Sequence, residues 1–275
     1  MKTWGTLGLA TALAGAGLAG CAGEEGSEGG EAAQAGDAAS AGEGGEGEGG
    51  EGEGGEGEGG EGGVSIAAAS SDPVVYGSAL AIVEAHAIAA RDAYLAGKIE
   101  PAAEMFGHPV SEVLADMDPV FEERGVADFK STLNDASATV LDGGDADAVQ
   151  ASYDAIITAL RGAAEKAPTS DKSEGAIAAG IVSDMIERAA GMYGEAMSSE
   201  RYEPYLDGYG FYKAGAAAFA ASDSAIKAEN ADLHGDIAAA LGLLETAYPS
   251  AERPAELEAN QGQLSAASSK VLLAL

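Results

Sequence analysis

From residue 72 onward, apolar side chains recur every three or four positions, a spacing that leaves the chain little to fold into besides packed helices. The first run is Val75, Ala79, Ile82, His86, Ala89 and Ala93; Ile177, Ile181, Met185 and Met192 repeat the step later. Helix-start signals fall at Asp72-Pro73, Asp145, Asp171 with Glu174 three residues on, and Ser199. Breaks fall at Gly97, Gly107-His108-Pro109, Gly125, Gly143-Gly144, Pro168 and from Pro249 to Pro254. The pattern predicts helices near 73–96, 99–106, 109–123, 126–141 and 145–166, then near 172–197, 200–221, 224–247 and 254–274. Short connections favour antiparallel neighbours. The expected fold is therefore all-α: two antiparallel helical bundles, 72–168 and 169–275, divided at Lys166-Ala167-Pro168-Thr169-Ser170.

The N-terminus has a different character. Lys2 precedes an uncharged apolar run from Leu7 to Ala19, and small residues lead to Cys21, as in an export signal. The run is too short for a comfortable membrane span. Leu18-Ala19-Gly20-Cys21 resembles the bacterial lipobox. That resemblance implies a signal peptide over 1–20, diacylglycerol on Cys21, and an acylated new N-terminus. Ala22 after the cysteine implies sorting to the outer membrane, with the domain in the periplasm or facing the surface. Two or more acyl chains anchor stably where one does not. Residues 21–71 are read as the lipidated cysteine and a linker; from Ala22 to Gly63 there are 13 acidic residues and no basic one. Glycine entropy and like-charge repulsion predict a disordered acidic tether.

The whole chain carries a net charge of −32, and residues 64–275, with 33 acidic and 13 basic residues, carry −20. Such a balance excludes nucleic-acid binding, which needs clustered Lys and Arg. A single cysteine excludes disulfide scaffolds, Cys-based zinc or iron–sulfur sites and covalent c-type haem. The sequence contains no Gly-rich phosphate loop, no Gly-x-Ser-x-Gly elbow and no His-Glu-x-x-His. Asp142-Gly143-Gly144-Asp145-Ala146-Asp147 fails as a calcium loop, because Gly144 and Ala146 stand where oxygen ligands are needed.

Three histidines remain: His86, His108 and His234. His86 lies on the apolar stripe of the first helix and points into the bundle as a core residue or a ligand. His108 precedes Glu112 and Asp116 at four-residue steps, which sets imidazole and two carboxylates along one helix side. That set suits iron, zinc or manganese, or else His108 caps the helix while the acids favour its dipole. Met105, three residues before His108, fills a core gap or pairs with His86 on haem iron. His234 carries no assigned role. Tyr202, Tyr205, Tyr209, Phe211, Tyr212 and Phe219 form either a core seam or, through Tyr202, Tyr205, Tyr209 and Tyr212, a partner-binding wall.

A helical envelope protein with His86-Ala87-Ile88 in its first helix resembles the imelysin-like periplasmic iron-uptake proteins. That family implies an all-α fold and a metal-binding Gly-x-His-x-x-Glu. Here the histidine falls on His86, with Glu84 at the glycine position and Ala89 at the glutamate position. Residues 94–113 also look like a module of bacterial lipoproteins. The expected function is a non-enzymatic lipoprotein that binds iron, another divalent metal or non-covalent haem through His86, His108 and Glu112, with Met105 and Asp116 supporting. The competing reading is a cofactor-free interaction module that docks another envelope protein. A hydrolase is the third, and no nucleophile–base pair supports it. Replacing Cys21 with Ser should move the protein from the membrane to the soluble fraction on cell fractionation.

Overall fold

The computed structural model of the chain describes residues 63–275, and among them there are helices and no strands. Cys21 and most of the expected tether lie outside these residues. Side-chain caps begin many of the helices. Ser65 caps a single turn, α1 (Ile66–Ala69), and Asp72 accepts from the Val74 N–H at 2.8 Å to start α2 (Pro73–Leu95). Ala69 is fully buried, so the folded part begins before the expected boundary at residue 72. The left-handed Gly97 (φ +77°) turns the chain into α3 (Ile99–Pro109).

The break expected at Gly107-His108-Pro109 does not occur. The helix continues through Pro109 into one π turn, Val110–Leu114, and on as α4 (Ala115–Arg124). Proline offers no N–H to the turn behind it, and the widened turn follows directly. Gly125 (φ +67°) ends α4. Then come α5 (Lys130–Leu141) and α6 (Ala146–Ala164), the latter capped by Asp145 as expected.

In the second half Ser173, rather than Asp171, caps α7 (Glu174–Ser198). The next helix, α8 (Glu203–Glu229), runs through the break expected near 222, where Asp223 simply accepts from His234 on the surface. The interruption falls instead at Asn230, whose carboxamide caps α9 (Ala231–Ala247). The last helix, α10 (Gln261–Leu273), starts later than expected, because residues 248–260 form an irregular strap.

Burial nearly all around α2, from Tyr76 to Ala93, makes it the central helix. It packs on α3 and α6 of the first helix group and on α7 and α8 of the second, so both groups share one core. It is long and apolar enough for a membrane span, and here protein covers that surface. Glycine and alanine let α8 come close: a Cβ at Gly210 would lie 2.5 Å from the Ala85 carbonyl oxygen and 3.1 Å from the Ala89 Cβ. Gly210→Ala must therefore push the two backbones apart. The variant should lose about 1–3 kcal/mol of stability in urea unfolding while keeping its helical circular dichroism.

Candidate metal centre

Three elements meet around His86. The side chain projects from the middle of α2 and is only 5 % exposed. Its Nδ1 lies 2.8 Å from the Ile82 carbonyl one turn back. A carbonyl can only accept, so Nδ1 carries the proton and donates it. Burial pushes the imidazolium down to about 4, against the Ile82 bond, and the charges of His108 and Arg188 lower it further. At neutral pH the ring is uncharged, and Nε2 presents a bare lone pair.

That lone pair faces acids. Asp207 Oδ1 lies 3.6 Å from Nε2 and Glu112 Oε2 lies 3.8 Å from it. Glu112 presents its other oxygen to the second histidine, with Oε1 4.0 Å from His108 Nδ1. The two imidazoles stand edge to face with centroids 6.3 Å apart, and Phe211 closes a further side at 5.8 Å from His86. His86, His108 and Asp207 can each offer an atom within 4.8 Å of the others. Glu203 Oε1 lies 4.0 Å from His108 Nε2, on the outer edge of that ring.

The structure thus brings His86, His108 and Glu112 together and leaves Asp116 on the surface. Met105 is buried and lines a separate depression of about 230 Å³ with Glu104, Tyr202, Glu203 and Leu206. Asp116 is exposed.

Asp207 and Glu203 were not expected. Their signal lies in Glu203-Pro204-Tyr205-Leu206-Asp207-Gly208-Tyr209, where an acid sits inside a run that buries continuously from Pro204 to Phe211. A carboxylate in such a run needs a polar reason to be there. The aromatic ring density drew attention away from it.

The tyrosines do not form a partner-binding wall. Tyr205 is fully buried and donates to the Ser250 carbonyl at 2.9 Å; Tyr202 donates to the Ala251 carbonyl at 2.6 Å. Tyr209, also buried, donates to Asp92 at 2.7 Å, and half-buried Tyr212 stacks on Tyr248. The hydroxyls of Tyr202 and Tyr205 satisfy backbone carbonyls of the 248–260 strap and that of Tyr209 reaches Asp92, which is why these rings turn inward. At the positions of the imelysin-like motif, Glu84 pairs with Arg161 through both oxygens, at 2.6 and 2.7 Å, and Ala89 is buried against Gly210.

No protein-family model, curated protein or solved structure matches this chain.

The depressed His86 value has a thermodynamic consequence. The unfolded chain takes up this proton near 6.5 and the folded chain near 4, so the unfolded state holds more protons between those values. Stability therefore falls as the pH falls through that window. Without added metal, His86 should cost the protein up to about 3 kcal/mol between pH 6.5 and 4. Urea midpoints of His86→Gln protein over the same range should decline by correspondingly less.

Proposed function

We propose that this chain is an envelope lipoprotein that captures a bare transition-metal ion, iron foremost, and holds or delivers it rather than transforming a substrate. The ligands are His86 Nε2, His108 Nδ1, Glu112 and Asp207. One observation carries this reading: the uncharged His86 turns its lone pair toward two carboxylates at 3.6 and 3.8 Å. A cation at their centre would be attracted by the lone pair and by both carboxylates at once.

The spacing supports an ion of ordinary size. Two donors about 2.1 Å from one ion, at angles near 90–110°, stand about 3.0–3.4 Å apart. The observed donor separations, 3.6 and 3.8 Å at His86 Nε2 and up to 4.8 Å among His86, His108 and Asp207, are wider than this, so the side chains would draw inward around the ion. Carboxylate oxygens this near Nε2 leave room for a bare ion and none for the flat, apolar face of haem, so the metal reading is preferred to the haem reading.

Two imidazoles with carboxylate oxygens suit Fe²⁺, Zn²⁺ or Mn²⁺, and the donor set contains no thiolate to favour Cu⁺. The charge of −20 over residues 64–275 draws cations in and repels anionic chelates. The envelope location rests on the lipobox-like residues Leu18–Cys21. Because its donors come from α2, from the segment running from α3 into the π turn, and from α8, the ion would tie the two helix groups together.

Equilibrium dialysis of the full chain against Zn²⁺, and anaerobically against Fe²⁺, should give one ion per chain. His86→Ala and Asp207→Asn should each weaken binding by more than about 100-fold, beyond what changes outside the ligand shell cost. At 100 times the dissociation constant, the ion should raise stability by about 2.7 kcal/mol. Wild-type protein that takes up no ion, or both variants binding as wild type does, would overturn the reading.

A further inference from the structure

We propose that Glu203 is a positioning residue for this site: its carboxylate holds the Nε2 proton of His108 and so turns the Nδ1 lone pair toward the ion. The inference rests on the metal reading above. A neutral imidazole has two nitrogens and one proton, and only the nitrogen without the proton can bind a metal. The environment of His108 distinguishes the two. Its Nδ1 is buried without a hydrogen-bond partner, on the edge that shares Glu112 with His86. Its Nε2 points the other way, 4.0 Å from Glu203 Oε1, where both side chains are partly exposed, 23 % and 30 %.

His86 follows the same scheme. One nitrogen gives its proton to a protein acceptor, the Ile82 carbonyl, and the other faces the centre. Glu203 plays for His108 the part that Ile82 plays for His86, with a charge added. An acceptor of this kind fixes the ring orientation of a metal-bound histidine and raises its basicity. Placement agrees with the role. Glu203 lies one helical turn before Asp207 on α8, so one face of one helix carries both a ligand and the group that orients another ligand. Arg201 pairs with Glu203 at the rim, which helps hold that carboxylate in place. The gap of 4.0 Å at Nε2 closes by a small rotamer adjustment of the partly exposed Glu203 side chain.

Zn²⁺ titration of the full chain tests this. Glu203→Gln should raise the dissociation constant about 10- to 100-fold while keeping one ion per chain, and Glu203→Asp should recover part of the loss. Glu104→Gln removes an exposed charge from the neighbouring depression and should stay near wild type. Nitrogen-15 spectra of the metal-free protein should show His108 as the Nε2–H tautomer, and that preference should fade in Glu203→Gln protein; a structural role alone would leave it unchanged. Glu203→Gln affinity within about twofold of wild type, or an Nδ1–H tautomer in wild type, would overturn the role of Glu203 and leave the metal site standing. Wild-type protein that takes up no Zn²⁺ would overturn the metal reading and this role with it.

Discussion

The close approach of α2 and α8 is the contact on which the rest of the structure depends. It is made where Gly210 meets Ala85 and Ala89, with no side chain larger than a methyl group between the backbones. Those two alanines flank His86, and Gly210 lies three residues after Asp207, nearly one turn along the same helix. The small residues that allow the helices to touch therefore also bring the imidazole of one helix opposite the carboxylate of the other. Widening that contact to fit ordinary side chains would part the two ligands by the same distance. Packing and site are one feature here.

Burying this much polar chemistry is costly, and the surrounding groups show how the cost is met. Removing a charge from water is expensive enough that a group with an uncharged form adopts it. His86 does so: it keeps one proton, spends it on the Ile82 carbonyl, and remains neutral. Two carboxylates, Asp207 and Glu112, lie within 3.8 Å of this neutral ring, and the Arg188 charge reaches it as well. A core with only structural demands has no use for such an arrangement, since apolar residues of the same volume would fill the space at less cost. Elsewhere the core resolves its polar atoms locally. Tyr76 donates to the Ala163 carbonyl, Tyr248 to the Ala189 carbonyl, and the strap over 248–260 is pinned by Tyr202 and Tyr205.

Several features were legible in the sequence because their causes are local. The all-α class follows from apolar spacing, and Asp72 and Asp145 cap helices where a short polar side chain precedes an apolar run. Local signals also misled. Glycine and proline around His108 read as a break, yet the helix runs on through them and widens into a π turn just after Pro109, with flanking residues such as Phe106 and Val113 buried in the core. The tyrosine-rich segment read as a core seam first and a partner wall second, since hydroxyls suit either, and its rings turn inward onto the 248–260 strap and Asp92.

What the sequence determined by itself is the helical class, the acidic balance and the gathering of metal-competent side chains within residues 86–116. Composition gives the second and third, and the first depends on residues a few positions apart, which helical geometry alone relates. The tertiary structure decided that α2 serves both helix groups at once, that Asp207 joins His86 across 121 positions of chain, and that Asp116 does not join it. No periodicity encodes which two helix faces will meet. That choice is made by shape, here by a glycine on one helix and two alanines on the other.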